Sequence, residues 1–324
     1  MAPSALTYLL ALCQLLAGAA GEEMCRLQSS AVQAHSLLQA QTTQRVAPAL
    51  DGPREATSNG AAARVAPIPA DDIVVGMAVT GKEPYRSRAE TSKATWGTYF
   101  DVVDGFTFDE VPHAPWVRHV DKAFPEEGTA RAHGLTLAMI PIMLSLYPQA
   151  KWYFFCDDDT FVVPHQLRQV AMSMNASEAN LAGRCFRYDP DGHVTFICGG
   201  SGILASRALL ERVAPHVLDC RKKYNWHDYS DTRVASCARD AFGGLETYIA
   251  CRRSEFYNAP LEEAGPANEI YPDTKAVAMH LKDPDFVKTL FGSLEGEISV
   301  GRDIFWKDVA RLVPDFGKNA QNAR

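Results

Sequence analysis

The sequence is most informative at first for what it omits. No two of its eight cysteines are spaced as CxxC, so the ligand pattern of a structural zinc site is missing. Positive charge is not in excess. Lys plus Arg total 32 against 39 for Asp plus Glu, a balance of −7, which argues against a general polyanion binder while leaving room for one local basic pocket, and makes nucleic acid a poor partner. No internal repeat is visible. The longest N-terminal apolar stretch, Ala5 to Ala20, is interrupted by Gln14 and is shorter than the roughly 20 residues a spanning helix needs.

That stretch ends in Ala17-Gly18-Ala19-Ala20 before Gly21-Glu22-Glu23, which reads as a cleaved signal peptide over residues 1–20. It carries no Lys or Arg ahead of its apolar part, and an uncleaved signal anchor is the alternative. Residues 21–70 are rich in Ala, Gln, Ser, Thr and Pro and read as a stem or linker. A single domain is expected over residues 71–318, with a tail at 319–324. With 47% apolar residues in 324, the chain can bury a sizeable core. In an oxidising lumen several of Cys25, Cys156, Cys185, Cys198, Cys220, Cys237 and Cys251 should pair, with connectivity left open. Asn175-Ala176-Ser177 is the only N-glycosylation sequon, and an unused match is the alternative to an occupied one.

Within the domain, apolar runs alternate with helical patterns. Asp72–Val79 reads as a first strand, Tyr85–Trp96 as a helix, and Val102–Phe108 as a second strand. Thr129–Tyr147 reads as a long amphipathic helix, and Lys151–Cys156 as an aromatic strand. Pro164 opens a helix to Met174, because proline suits a helix's first turn. This order predicts an α/β fold whose central sheet is mainly parallel and flanked by helices. Such sheets bind ligands beyond the carboxyl ends of their strands, where the run Asp157-Asp158-Asp159 falls.

Three consecutive carboxylates between core segments repel one another and lose hydration, so a positive partner is expected. Oxygen ligands suit Mg²⁺ or Mn²⁺, which commonly keep positions open for phosphate oxygens. A nucleotide diphosphate is the natural second ligand. A solvated acidic turn capping the next helix is the plainer reading of the same residues.

The chain resembles the fringe-like and core-1-synthase-like β-1,3-glycosyltransferases (glycosyltransferase family 31), from about Asp72 to Asp285. The resemblance rests on Val79-Thr80-Gly81, Arg86 and Arg88 ahead of Lys93-Ala94-Thr95-Trp96, the block from Trp152 to Val163, and Gly183-Arg184. Phe196–Gly202, Asp231–Cys237 and Ala278-Met279-His280 complete it in the same order. It implies a GT-A nucleotide-diphospho-sugar transferase fold, a UDP-sugar donor, a glycan or glycoprotein acceptor, and Mn²⁺. By position, Asp159 and His280 are implied as metal ligands, and Thr80, Arg88, Asp157, Asp158, Gly199 and Gly200 as the donor-binding set. Glycine at 199, 200 and 202 would let backbone approach a sugar closely.

Asp231 corresponds to the general base, with Asp228 a competitor and a helix N-cap before Thr232–Ala241 the structural alternative. Thr160–Val163 and Lys93–Trp96 follow the core-1 pattern, which weighs against a fringe-specific transfer of GlcNAc to fucose. The function implied is inverting, metal-dependent β-1,3-transfer of Gal or GlcNAc in the secretory pathway, either in the Golgi lumen or after secretion. A catalytically silent glycan-binding protein of the same fold and a nucleotide-sugar hydrolase are the competing readings. Oligomeric state is not legible.

Overall fold

The computed structural model describes residues 64–312 except 111, 126, 128–133, 189–193, 226–228, 259–270 and 282. The signal segment, nearly all of the stem, Asp228 and the tail lie outside the described residues. In chain order the elements are β1 (Ile73–Ala78), α1 (Tyr85–Ala94), β2 (Val103–Thr107), β3 (Val117–His119), α2 (Leu135–Leu146), β4 (Trp152–Asp157) and β5 (Thr160–Val162). There follow α3 (Pro164–Met172), β6 (Leu181–Gly183), β7 (Cys185–Tyr188), β8 (Val194–Ile197), β9 (Ile203–Ser206), α4 (Arg207–Val213), α5 (Val217–Lys223) and α6 (Ser230–Ala241). The last are β10 (Ile249–Cys251), β11 (Phe256–Asn258), β12 (Ala278–His280), α7 (Pro284–Ser299) and α8 (Trp306–Leu312).

A seven-stranded sheet has the order β10-β6-β9-β4-β1-β2-β3, and only β9 runs against its neighbours. The fold is the expected mixed α/β architecture with a mainly parallel centre. Side chains alternate between the two faces of each strand. Ile73, Val75, Met77, Trp152, Phe154 and Cys156 enter one core layer, and Val74, Tyr153 and Phe155 enter the other. Both faces are therefore covered, which is why the strands read as continuous apolar runs. By the same alternation, Asp157 falls on the second face, the one covered by α2, α4, α5 and α6.

Three sequence readings need correction. Of the expected helix Thr129–Tyr147 nothing before Gly134 is described, and α2 begins at Leu135 behind that glycine, whose φ of 83° is left-handed. Residues 129–133 are outside the described set. Nor is α2 amphipathic, because Leu135 to Ile140 are all buried between the sheet and α5 and α6. The helix of the Asp231 region starts at Ser230 with Tyr229 as its N-cap, so Asp231 lies inside the first turn and is not the cap. Ile68, read as stem, is 3% exposed and donates its N–H to Tyr99 O at 2.8 Å.

Two disulfides tie elements of the second layer, Cys185–Cys251 joining β7 to β10 and Cys220–Cys237 joining α5 to α6. Cys156 and Cys198 are buried as free thiols. A buried ion pair adds to this layer. The side chain of Glu127 is fully covered, its Oε1 accepts from Arg221 Nε at 2.8 Å, and its Oε2 accepts from the N–H of Ala123. Glu127→Gln would leave Arg221 buried without a counter-charge, so equilibrium unfolding should show a loss on the order of 3–5 kcal/mol.

Candidate active site at the carboxyl ends of the central strands

The acidic run leaves the sheet at the end of β4, where Asp157 is paired in register with Ala78 of β1. Its backbone is fixed from two sides. Arg88 and Ser92 are one helical turn apart on α1, so they share a face. From it Ser92 Oγ donates to Asp158 O at 3.0 Å and Arg88 Nη1 reaches Asp159 Oδ2 at 3.2 Å. Trp96, just beyond the helix, donates Nε1–H to Thr160 O at 2.9 Å. On the other side β12 pairs antiparallel with β5, setting His280 opposite Thr160, and Leu281 N–H donates to Asp159 O at 2.7 Å.

This pairing brings two residues 121 positions apart in sequence into contact. His280 Nε2 lies 3.0 Å from Asp159 Oδ1. That oxygen is buried and has no aligned hydrogen-bond donor among the described residues. The other ring nitrogen, Nδ1, lies 2.8 Å from Asn258 Oδ1, an acceptor, so Nδ1 carries a proton. Protonated at Nε2, the ring is the cationic partner of the Asp159 carboxylate; neutral there, it would turn a lone pair toward the same oxygen. With the ring neutral at Nε2, His280 and Asp159 would hold a divalent cation, and Asn258 would orient the imidazole from behind. Among the described residues no group of three or more His, Cys, Asp or Glu is arranged to hold a metal, so these two atoms would be a partial ligand set.

Burial and the Asp159 carboxylate push Asp157 up to about 7, with the His280 imidazole opposing. Burial also raises Asp158 well above the ordinary carboxylate range; Asp159 and Asp157 add to this and Arg88 opposes it. The cluster is therefore short of positive charge even with Arg88 in place.

Asp231 approaches from α6. Its Oδ2 accepts from Gly199 N–H at 3.0 Å and its Oδ1 from Thr232 N–H at 2.8 Å. Burial raises its pKa, and those two backbone donors oppose the rise. Each oxygen keeps a second lone pair. Gly199–Ser201 forms a 3-10 turn that separates Asp231 from His280. A Cβ on Gly199 would lie 3.5 Å from Asp231 Cβ, and one on Gly200 would lie 2.6 Å from His280 Nδ1. The missing side chain at 200 makes room for the imidazole, a different service from the sugar approach expected of it. Gly202 is constrained likewise, with φ of 88° and its virtual Cβ 2.1 Å from the Phe154 ring. Gly200→Ala should displace the imidazole and lower activity by on the order of 10–100-fold while the thermal midpoint shifts little, as activity and melting assays would show.

Thr80 follows β1 at the same sheet end, and its hydroxyl is buried without a hydrogen bond among the described residues. Arg184 of the Gly183-Arg184 pair is also buried. It serves the scaffold, donating from Nη1 to Arg253 O at 3.0 Å and Phe256 O at 3.2 Å. Sequence reading missed Asn258, which nothing around Phe256-Tyr257 marks as special. Only the β11–β12 register, Asn258 opposite His280, gives it a role.

A sequence profile described as Fringe-like matches residues 69–234, half of the chain, ending before His280. Chondroitin sulfate synthase 3 of Homo sapiens is 26% identical over 226 residues, covering 64% of this chain and 24% of that protein. Chondroitin sulfate glucuronyltransferase of Homo sapiens is 35% identical over 71 residues, 22% of this chain and 9% of that protein. The chain thus spans about a quarter or less of the length of these curated relatives. A crystal structure of a glycosyltransferase involved in the glycosylation of the major capsid of PBCV-1 is 13% identical with a TM-score of 0.41, covering 68% of this chain and 99% of that one. From the profile match, which takes in the acidic run and Asp231, the chain belongs to the Fringe-like family of glycosyltransferases.

Proposed function

We propose that the chain transfers a hexose, Gal or GlcNAc, from a UDP-sugar to a glycan acceptor on a glycoprotein, forming a β-1,3 linkage with inversion in a divalent-metal-dependent reaction. The observation that carries the reading is the facing pair of His280 Nε2 and Asp159 Oδ1 at 3.0 Å, with Asp231 on the far side of the Gly199–Ser201 turn. Asp159 and His280 would hold the cation, Mn²⁺ in this reading. Bound there, it would offset the charge that develops on the departing diphosphate.

The chain's own residues supply the rest. Arg88, anchored on Asp159, has the planar fork to hold a phosphate oxygen. Thr80, Asp157, Asp158 and the Gly199-Gly200 backbone line the donor side in this reading. Asp231 accepts the proton of the acceptor hydroxyl as its oxygen bonds to the anomeric carbon and the bond from that carbon to the diphosphate breaks. Attack opposite the leaving group turns an α-linked donor into a β-linked product.

The two disulfides suit maturation in an oxidising compartment, which supports a place in the secretory pathway, in the Golgi lumen or beyond. UDP release should require Mn²⁺ and rise with acceptor; release independent of acceptor would instead indicate a hydrolase, and none at all a silent binding protein. The donor is identified by screening UDP-Gal, UDP-GlcNAc and UDP-Glc against a glycan array. UDP-GlcA joins the panel because one relative is named a glucuronyltransferase.

A further inference from the structure

The sequon Asn175-Ala176-Ser177 is used neither by the donor site nor by the core. It sits in the turn that follows α3, with Asn175 and Ser177 exposed. Asn175 Oδ1 accepts from Ser177 N–H at 3.1 Å and from Ser177 Oγ at 2.7 Å, an Asx turn that joins the two residues a glycan acceptor needs. Asn175 Nδ2 gives one hydrogen to exposed Glu178 Oε1 at 3.1 Å, and Asn175 O accepts from Asn180 Nδ2 at 2.9 Å. An amide nitrogen has two hydrogens, so substituting one leaves this local network able to persist.

The position is also remote from the chemistry. Asn175 lines a cavity of about 410 Å³ with Asp72, Ile73, Lys151 and Trp152, which begin β1 and β4, whereas the acidic run ends β4. A glycan here would leave the carboxyl end of the sheet open. It would stand beside Met172, a large apolar side chain that is 73% exposed.

We propose that Asn175 is an N-linked glycosylation site. Nδ2 forms a bond to the anomeric carbon of a lipid-diphosphate-linked oligosaccharide, the bond from that carbon to the diphosphate breaks, and Nδ2 releases one proton as the lipid diphosphate leaves. The proposal rests on the reading that the chain passes through the secretory lumen, and the test separates the two.

The full chain is expressed in eukaryotic cells with its own N-terminus and, in parallel, behind a heterologous secretory leader. Peptide mass mapping after endoglycosidase release in ¹⁸O water reads residue 175, and thiol labelling reads the cysteines. The expected result is one labelled Asn-to-Asp conversion at 175 and one gel-mobility step, lost in Asn175→Gln and Ser177→Ala and kept in Ser177→Thr, with transfer activity unchanged in all three. An unmodified Asn175 in leader-driven protein whose disulfides have formed overturns the proposal. Modification only behind the added leader, with reduced cysteines otherwise, upholds the glycan site and overturns the secretory reading.

Discussion

Asp231→Asn should lower kcat by on the order of 10²–10⁴-fold while leaving UDP affinity close to that of the parent protein. The substitution keeps the shape of the side chain and removes its capacity to take a proton. Asparagine can place its carbonyl oxygen toward Gly199 N–H, so the 3-10 turn that Asp231 Oδ2 now holds at 3.0 Å should survive. A separation of kcat from binding is therefore the signature of a base and not of a cap. The pH profile adds a second readout. Burial raises this carboxyl above its ordinary value of 3.8, so the group is protonated over a wider acidic range. Activity should fall as pH drops, and Asp231→Asn should alter that acid limb while the Asp157 carboxyl, raised to about 7, keeps one of its own. A variant with parental turnover would remove Asp231 from the reaction.

The second large effect concerns the cation. Asp159→Asn should reduce Mn²⁺-stimulated transfer by about 10³-fold, the equivalent of roughly 4 kcal/mol of transition-state stabilisation. Arg88, whose Nη1 contacts Asp159 at 3.2 Å, would also lose its partner, so melting should be recorded beside activity. His280→Gln gives an independent view, since its side chain is one-fifth exposed and Arg88 is not its partner. Both variants should need far more Mn²⁺ to reach half-maximal rate. If either keeps the parental Mn²⁺ dependence, that residue is not a ligand.

Much of the fold was legible because buried parallel strands leave an unmistakable pattern. Ile73–Ala78 and Trp152–Asp157 are apolar on both faces, and their predicted spans agree with the observed ones to within about a residue or two at each end. The α2 region failed for the same physical reason. Leu135 to Ile140 are buried in succession, so the first half of α2 lacks the polar stripe expected of it, and exposure returns only at Pro141 and Ser145. The site divides along a similar line. Asp157, Asp158 and Asp159 announce themselves because clustered charge between core segments is costly. His280, after Val277-Ala278-Met279, looks like any core histidine, and only family resemblance singled it out. Asn258 carried no signal, because its role exists only through strand pairing between β11 and β12. Gly200 is singled out in the sequence for close approach to a sugar, and the structure adds that its missing side chain leaves room for the imidazole packed against it, which no local pattern encodes.

Calorimetric titration of UDP into the folded protein, once with Mn²⁺ and once with a chelator, tests the central claim most directly. The account predicts saturable binding with Mn²⁺ that is lost with the chelator and strongly weakened in Asp159→Asn. Equal UDP affinity in both conditions, or no binding in either, would contradict it.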